Sequence, residues 1–206
     1  TELGERSGIF VMLLLTAFVS IILGMGMPTA AVYIILATVI APALVEMGLQ
    51  PMAAHLFLFY FGLLSLLTPP VAVASMVAAG LAGSDMWKTG MVGVQLAAAA
   101  YLLPFLWVFN PALIMQGSWP AIIYVTLTAV AAGFLIAEAV VTFGRGGMLN
   151  RLYGVLYFAA TIIVGTATLW IDTESPLTLV VVAAGAGIIV VARRGDKPVE
   201  QATPAE

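Results

Sequence analysis

Charged residues fall in short clusters. Between them the chain carries no Asp, Glu, Lys or Arg over residues 7–45, 47–84, 89–137, 152–171 and 175–192. A straight membrane helix needs about 20 apolar residues to cross roughly 30 Å of hydrocarbon. Met91–Phe109, Ala121–Phe143 and Tyr153–Ile171 meet that length, and Leu177–Ala192 just reaches it. The pattern therefore predicts spans at these four places, the last three of them C-terminal.

The first 84 residues follow another rule. Ile9–Leu23 is cut by Gly24-Met25-Gly26-Met27-Pro28-Thr29, and Ala30–Val45 then runs to Glu46-Met47-Gly48. These arms would each be only about 22–24 Å long, which predicts a re-entrant hairpin over residues 9–45 rather than two crossings. A broken helix is predicted next, with Met52–Leu66 and Val71–Ala82 flanking Leu67-Thr68-Pro69-Pro70. Glycine ends a helix at little cost, and proline suits the first turn of a new one. Backbone unwound at membrane depth leaves carbonyls and amides that must be satisfied by protein, water, an ion or a ligand.

Composition places the chain in the membrane. Of 206 residues, 63% are hydrophobic and 8% are charged, against about 25% charged in ordinary soluble domains. A soluble enzyme and a disordered chain are poor readings. With a net charge of −3 and no basic patch, nucleic acid is not an expected partner. The lack of cysteine removes disulfides, thiol catalysis and thiolate metal sites. The chain starts Thr1-Glu2-Leu3 without an initiator methionine, so it reads as a fragment of a longer polypeptide.

Lys and Arg set the orientation. Lys88, the Arg145–Arg151 loop and the C-terminus, with Arg193, Arg194 and Lys197, are expected in the cytoplasm. The Asn110–Pro120 and Asp172–Pro176 loops and the turn at Glu46 then face outside. The expected organisation is a transport-type half-domain at 1–90, a span and outer loop at 91–120, three spans at 121–192, and a disordered cytoplasmic tail at 193–206.

The tip Gly24–Thr29 and the break Leu67–Val71 are the main candidate sites. Paired Gly/Pro-interrupted short helices point to the substrate or ion site of a secondary transporter, while packed loops or simple proline kinks are the plainer reading. His55, the only histidine, has no partner for a metal site or a catalytic triad and reads as interfacial or as a packing residue. Glu138 lies about 9 Å from the end of its span and reads as structural, within reach of Arg145 or Arg151. Tyr101, Trp107, Trp119, Tyr153 and Trp170 read as interface anchors. Ala183–Gly187 suits close helix packing.

Several stretches carry a family resemblance. They are Gly24-Met-Gly-Met-Pro-Thr29, Ile35–Pro42, Glu46-Met-Gly-Leu-Gln-Pro-Met-Ala-Ala-His55, Leu64-Ser-Leu-Leu-Thr-Pro-Pro-Val-Ala72, Ala78-Ala-Gly-Leu-Ala82, Tyr101-Leu-Leu-Pro-Phe105 and Phe109-Asn-Pro-Ala-Leu113. Over residues 9–115 the chain resembles the C-terminal part of the fused permease subunit of tripartite ATP-independent periplasmic (TRAP) transporters, of the kind served by TAXI-type binding proteins. The resemblance implies an all-α polytopic protein of the bacterial inner membrane. It would be one inverted-repeat half of an elevator-type fold of the ion-transporter superfamily, with extra C-terminal spans. The first repeat is absent, so the chain alone is not expected to transport.

The resemblance also implies Na⁺-coupled uptake of small organic anions, carboxylates, delivered by a periplasmic solute-binding protein. The implied partners are that protein, the remaining N-terminal permease region and the lipid bilayer. Carbonyls and hydroxyls at Gly24, Gly26, Thr29, Ser65 and Thr68 would hold the Na⁺. Met27, Pro28, Thr29, Pro69 and Pro70 would shape the substrate surface. Where many relatives carry an acid near the tip, this chain has Met27-Pro28-Thr29. Two rivals belong to other classes. An intramembrane protease needs paired acids or a Gly-flanked serine with a histidine; Glu138 has no acidic partner at depth and Ser65 is not Gly-flanked. A non-transporting anchor or assembly subunit is the alternative for a membrane chain.

Overall fold

Glycine and proline punctuate the first half of the chain where the sequence places them. In the computed structural model, which describes residues 2–144, 152 and 154–161, α1 spans Glu2–Gly24 and α2 spans Thr29–Val39. Helix α3 follows at Ala41–Glu46 and α4 at Pro51–Leu64. Gly48 ends α3 at φ +94, with the Leu49 amide reaching back to the Leu44 carbonyl at 3.1 Å, the bond pattern of a helix closed by a left-handed residue. Pro51 then opens α4 at a position whose N–H would be unpaired in any case.

Helix α4 is the centre of the packing, and α1, α2, α3 and α7 (Ala98–Phe109) all lie against it. Apart from His55 and Tyr60 its residues are apolar, as suits a helix covered on several sides, and its Phe57 and Leu58 are fully buried. Helix α1 turns a stripe of Leu13, Thr16, Ala17, Ser20 and Gly24 inward, at the i, i+3/i+4 spacing of one helical face. Most of these residues are small, which lets the two helices approach closely. The other face of α1 exposes Leu14, Leu15, Phe18 and Ile22.

Two boundaries differ from the sequence expectation. The first arm is not a short piece beginning at Ile9. Glu2–Arg6 contain no proline and the helix continues through Gly4, so α1 runs for 23 residues, about 35 Å by helical rise. Ser7–Gly24 alone is long and apolar enough to cross a membrane. The second arm is divided at Ile40, just before Pro42 of α3, because proline cannot donate to the helix ladder. An arm-length argument for re-entry therefore rests on α2 and α3.

The break in the next helix is also wider than Leu67–Pro70. It runs from Ser65 to Ala72, and α5 occupies Val73–Ala82. Asp85 caps α6 (Met86–Leu96), accepting from the Lys88 amide at 2.8 Å, and α5 packs on α6. The expected straight span Met91–Phe109 is instead α6 plus α7, bent by 43° at Ala97. Pro104 lies inside α7, where its ring removes the bond to the carbonyl of Ala100, three residues past the bend.

A 3₁₀ turn at Pro111–Ile114 leads to α8 at Trp119–Gly144, close to the predicted Ala121–Phe143. Ala132, Leu135 and Ala139 of α8 form a small core with Tyr157 and Ala160 of the helical residues 154–161. Thr128 and Thr142 donate their hydroxyl protons to carbonyls of their own helix, at 2.8 and 2.6 Å, which keeps polar side chains satisfied in apolar surroundings. Trp119–Thr142 can cross a membrane by length and composition, as can α6 and α7 taken together. No strand occurs among the described residues. Most of the span expected at Tyr153–Ile171, the one at Leu177–Ala192, Trp170, Ala183–Gly187 and the tail lie outside them.

Candidate ion and substrate site at the hairpin tip and helix break

Gly24 seats the tip on the break. A Cβ added at Gly24 would come within 2.7 Å of Ser65 Cβ and 3.1 Å of the Gly62 carbonyl oxygen. The first distance is shorter than real Cβ contacts and the second is tighter than most, so glycine lets the end of α1 rest there without displacing Ser65. Ser65 is buried and donates its hydroxyl proton to the Gly62 carbonyl at 2.6 Å. One turn upstream, Gly62 faces Val32 of α2: a Cβ there would lie 3.3 Å from Val32 Cγ1. Glycines thus bring both arms of the hairpin against α4.

The other tip residues have different surroundings. Gly26 adopts φ +81 with open space where a side chain would go. Met27 is half-buried and packs on the apolar core. Pro28 is exposed and precedes the first turn of α2, which starts at the half-buried Thr29. No hydrogen bond among the described residues ends on the carbonyls of Gly24, Met25, Gly26 or Met27.

The break is held from two sides. The Ala74 amide reaches the Leu66 carbonyl at 3.0 Å, tying the start of α5 back to the end of α4. Pro69 packs against α6, where a Cβ at Gly90 would come 3.0 Å from Pro69 Cγ. Pro70, joined to Pro69 by a cis peptide, is exposed. Ala72 takes the left-handed conformation at φ 39, strained for a residue with a side chain. The carbonyls of Leu67, Thr68, Pro69, Pro70 and Val71 also receive no hydrogen bond among the described residues.

Thr68 donates its hydroxyl proton to the Leu64 carbonyl at 2.7 Å and lies 2.7 Å from the Tyr101 hydroxyl. Of the sequence-predicted residues, Gly24 and Ser65 are in contact. The hydrogen-bond partners of Thr68 are Leu64 and Tyr101, and Pro69 faces α6. Sequence reasoning missed Gly62, Gly90 and Tyr101. Tyr101 was expected as an interface anchor, yet its hydroxyl sits on the break. Its position near mid-span, rather than at an end, was the available signal. Trp107 is likewise buried, edge-on to Tyr60 at 5.1 Å between ring centroids.

Among the described residues no group of three or more His, Cys, Asp or Glu is placed to hold a metal ion. The donors at tip and break are backbone carbonyls and hydroxyls, which suit hard cations. His55 Nδ1 lies 3.0 Å from the Tyr33 hydroxyl, so the histidine joins α4 to α2. Glu138 is half-buried on α8; its suggested partners Arg145 and Arg151 lie outside the described residues.

Residues 1–122 match the family of the DctM component of tripartite ATP-independent periplasmic transporters. The chain belongs to that family. No curated protein and no solved structure matches it. The matched region contains the hairpin, the break and the bent pair, and ends at the start of α8. The chain is thus an integral membrane component of a TRAP transporter and not an enzyme. Such a component works with other subunits, a periplasmic binding protein among them.

Proposed function

We propose that this TRAP component couples Na⁺ entry to uptake of small organic anions, carboxylates, delivered by a periplasmic binding protein of the TAXI type. The observation that carries the reading is the pair of backbone stretches with free carbonyls, Gly24–Met27 and Leu67–Val71, on either side of the Gly24–Ser65 contact. In hydrocarbon a free carbonyl costs several kcal/mol, and an ion shared by the two stretches would remove that cost. Carbonyls of Gly24 and Gly26 and hydroxyls of Thr29, Ser65 and Thr68 are the donors assigned to it. The start of α2 after Pro28, and the backbone at Met27, Pro69 and Pro70, supply the surface for a carboxylate. A helix N-terminus carries partial positive charge and favours an anion.

In this reading residues 9–45 re-enter the membrane and residues 52–83 form the broken helix of one inverted repeat. The repeat moves as a body against a scaffold, as in an elevator, and belongs to the C-terminal part of a fused permease. The C-terminus is cytoplasmic. The test is uptake against Na⁺ concentration in proteoliposomes containing the whole permease and its binding protein. Thr68→Val removes one oxygen at nearly constant volume, and Gly26→Leu blocks the positive φ that aims its carbonyl. Each should raise the Na⁺ midpoint, about tenfold for a loss of 1.4 kcal/mol. Thr126→Val, the same substitution at an exposed hydroxyl of α8, should not. Unchanged midpoints in both site variants would refute the ion site. A non-transporting anchor would show no Na⁺-dependent uptake at all.

A further inference from the structure

Thr68 has one hydroxyl proton, and the Leu64 carbonyl accepts it at 2.7 Å. The 2.7 Å contact with Tyr101 must then run the other way: the Tyr101 O–H donates and Thr68 Oγ1 accepts. The position of that donor is fixed by packing. Phe105, one turn along α7 on the same face, wedges edge-on against Phe57 at 5.3 Å and against Phe61 at 5.7 Å, and Phe10 of α1 also meets it at 5.7 Å. Tyr101 is therefore presented to the break by a rigid aromatic cluster, just past the 43° bend at Ala97.

A hydroxyl oxygen has two lone pairs, and one that accepts a hydrogen bond keeps a single, less basic lone pair for a cation. From this we infer that Tyr101 is a positioning residue for Thr68, and that its O–H competes with a bound Na⁺ for the electron density of the Thr68 oxygen. The inference rests on the ion site proposed above and extends it. Ion binding and the Tyr101–Thr68 bond then weaken one another. When Na⁺ draws on the Thr68 oxygen, the polar hold of α7 on the break loosens. When Na⁺ leaves, the tyrosine caps the oxygen and spares it an unsatisfied state in an apolar setting. One hydrogen bond thereby links ion occupancy to the grip of α7 on the moving element, and it sets the ion affinity lower than the oxygens alone would give.

The sign of the test is distinctive. Tyr101→Phe keeps the ring and removes only the competing donor, so the Na⁺ midpoint for uptake should fall, by about threefold to tenfold for one net hydrogen bond. Thr68→Val should raise it. In the Thr68→Val background, Tyr101→Phe should have no further effect, because the tyrosine acts through that oxygen. A second readout needs no transport. Adding Na⁺ to the purified permease should change the infrared band of a hydrogen-bonded tyrosine, and Tyr101→Phe should abolish that change. If Thr68→Val raises the midpoint while Tyr101→Phe leaves it unchanged or raises it, the competition is refuted and the ion site stands. If neither variant moves the midpoint, the ion site itself fails, and the inference with it.

Discussion

Replacing Gly24 by alanine adds a single carbon where the hairpin tip meets the break. Gly24 closes α1 without a positive φ, so alanine fits its backbone and, by helix propensity alone, would stabilise by about 1 kcal/mol. The new carbon, however, would lie 2.7 Å from Ser65 Cβ and 3.1 Å from the Gly62 carbonyl oxygen. Ser65 cannot swing aside freely, since it is buried and bonded to that same carbonyl. Overpacking of this kind costs about 1–3 kcal/mol. The net loss is up to about 2 kcal/mol, or several degrees of melting temperature at roughly 2–4 °C per kcal/mol for a chain of this size. A thermal-stability assay on the detergent-purified protein reads it. The decisive variant is the double one. Ser65→Gly removes the two nearest atoms and should rescue Gly24→Ala, with a coupling of about 1–2 kcal/mol between the sites. Ser65→Ala removes the nearer Oγ but keeps the Cβ at 2.7 Å, and should rescue only in part. Additive losses, or equal rescue by both serine variants, would refute the claim that this contact seats the tip.

Gly26→Ala should cost about 1–2 kcal/mol through its φ of +81 alone, and Gly26→Asn less, because asparagine tolerates that region; equal melting temperatures for the two would refute a backbone cause. Gly90→Val should destabilise by about 1–3 kcal/mol by colliding with Pro69, whereas Gly80→Ala, with open space at its Cβ, should melt no lower than the parent; indistinguishable variants would contradict the packing of α6 on the break. Tyr33→Phe breaks the bond to His55 and should cost about 1 kcal/mol with no change in the Na⁺ midpoint, since His55 lies roughly 15 Å along α4 from Ser65. A C-terminal reporter should be active on the cytoplasmic side; activity only in the periplasm would invert the orientation of every element.

The local punctuation was legible in the sequence. Pro28, Gly48 and Pro51 each mark a helix boundary, because their effects act within a residue or two, while Pro69-Pro70 mark the break but not its edges. The ends of α8 were read to within two residues from hydrophobic length alone. Three things were not legible. The extension of α1 through Glu2–Arg6 has Leu3 as its one large apolar residue, too little to signal a span, and charged residues continue a helix as readily as apolar ones. The bend at Ala97 lies in a run of four alanines, with no glycine or proline at the break itself to announce it. The pairing of Thr68 with Tyr101 joins residues 33 apart, and nothing local to either predicts it. At the candidate site, the residue types of tip and break were readable, while the contact that seats one on the other depends on tertiary packing.

The two faces of α1 obey different rules of substitution. Toward α4 the stripe of Leu13, Thr16, Ala17, Ser20 and Gly24 is limited by size, and its hydroxyl residues are tolerated because they are small. The face carrying Leu14, Leu15, Phe18 and Ile22 is limited by polarity, and bulk there is free. A drift of sequence under selection would therefore accept Leu15→Phe and reject Leu15→Ser, yet accept Ser20→Ala and reject Ser20→Phe. A helix read this way reports its own orientation: wherever tolerance changes from volume to polarity along the turn, its contact with α4 ends.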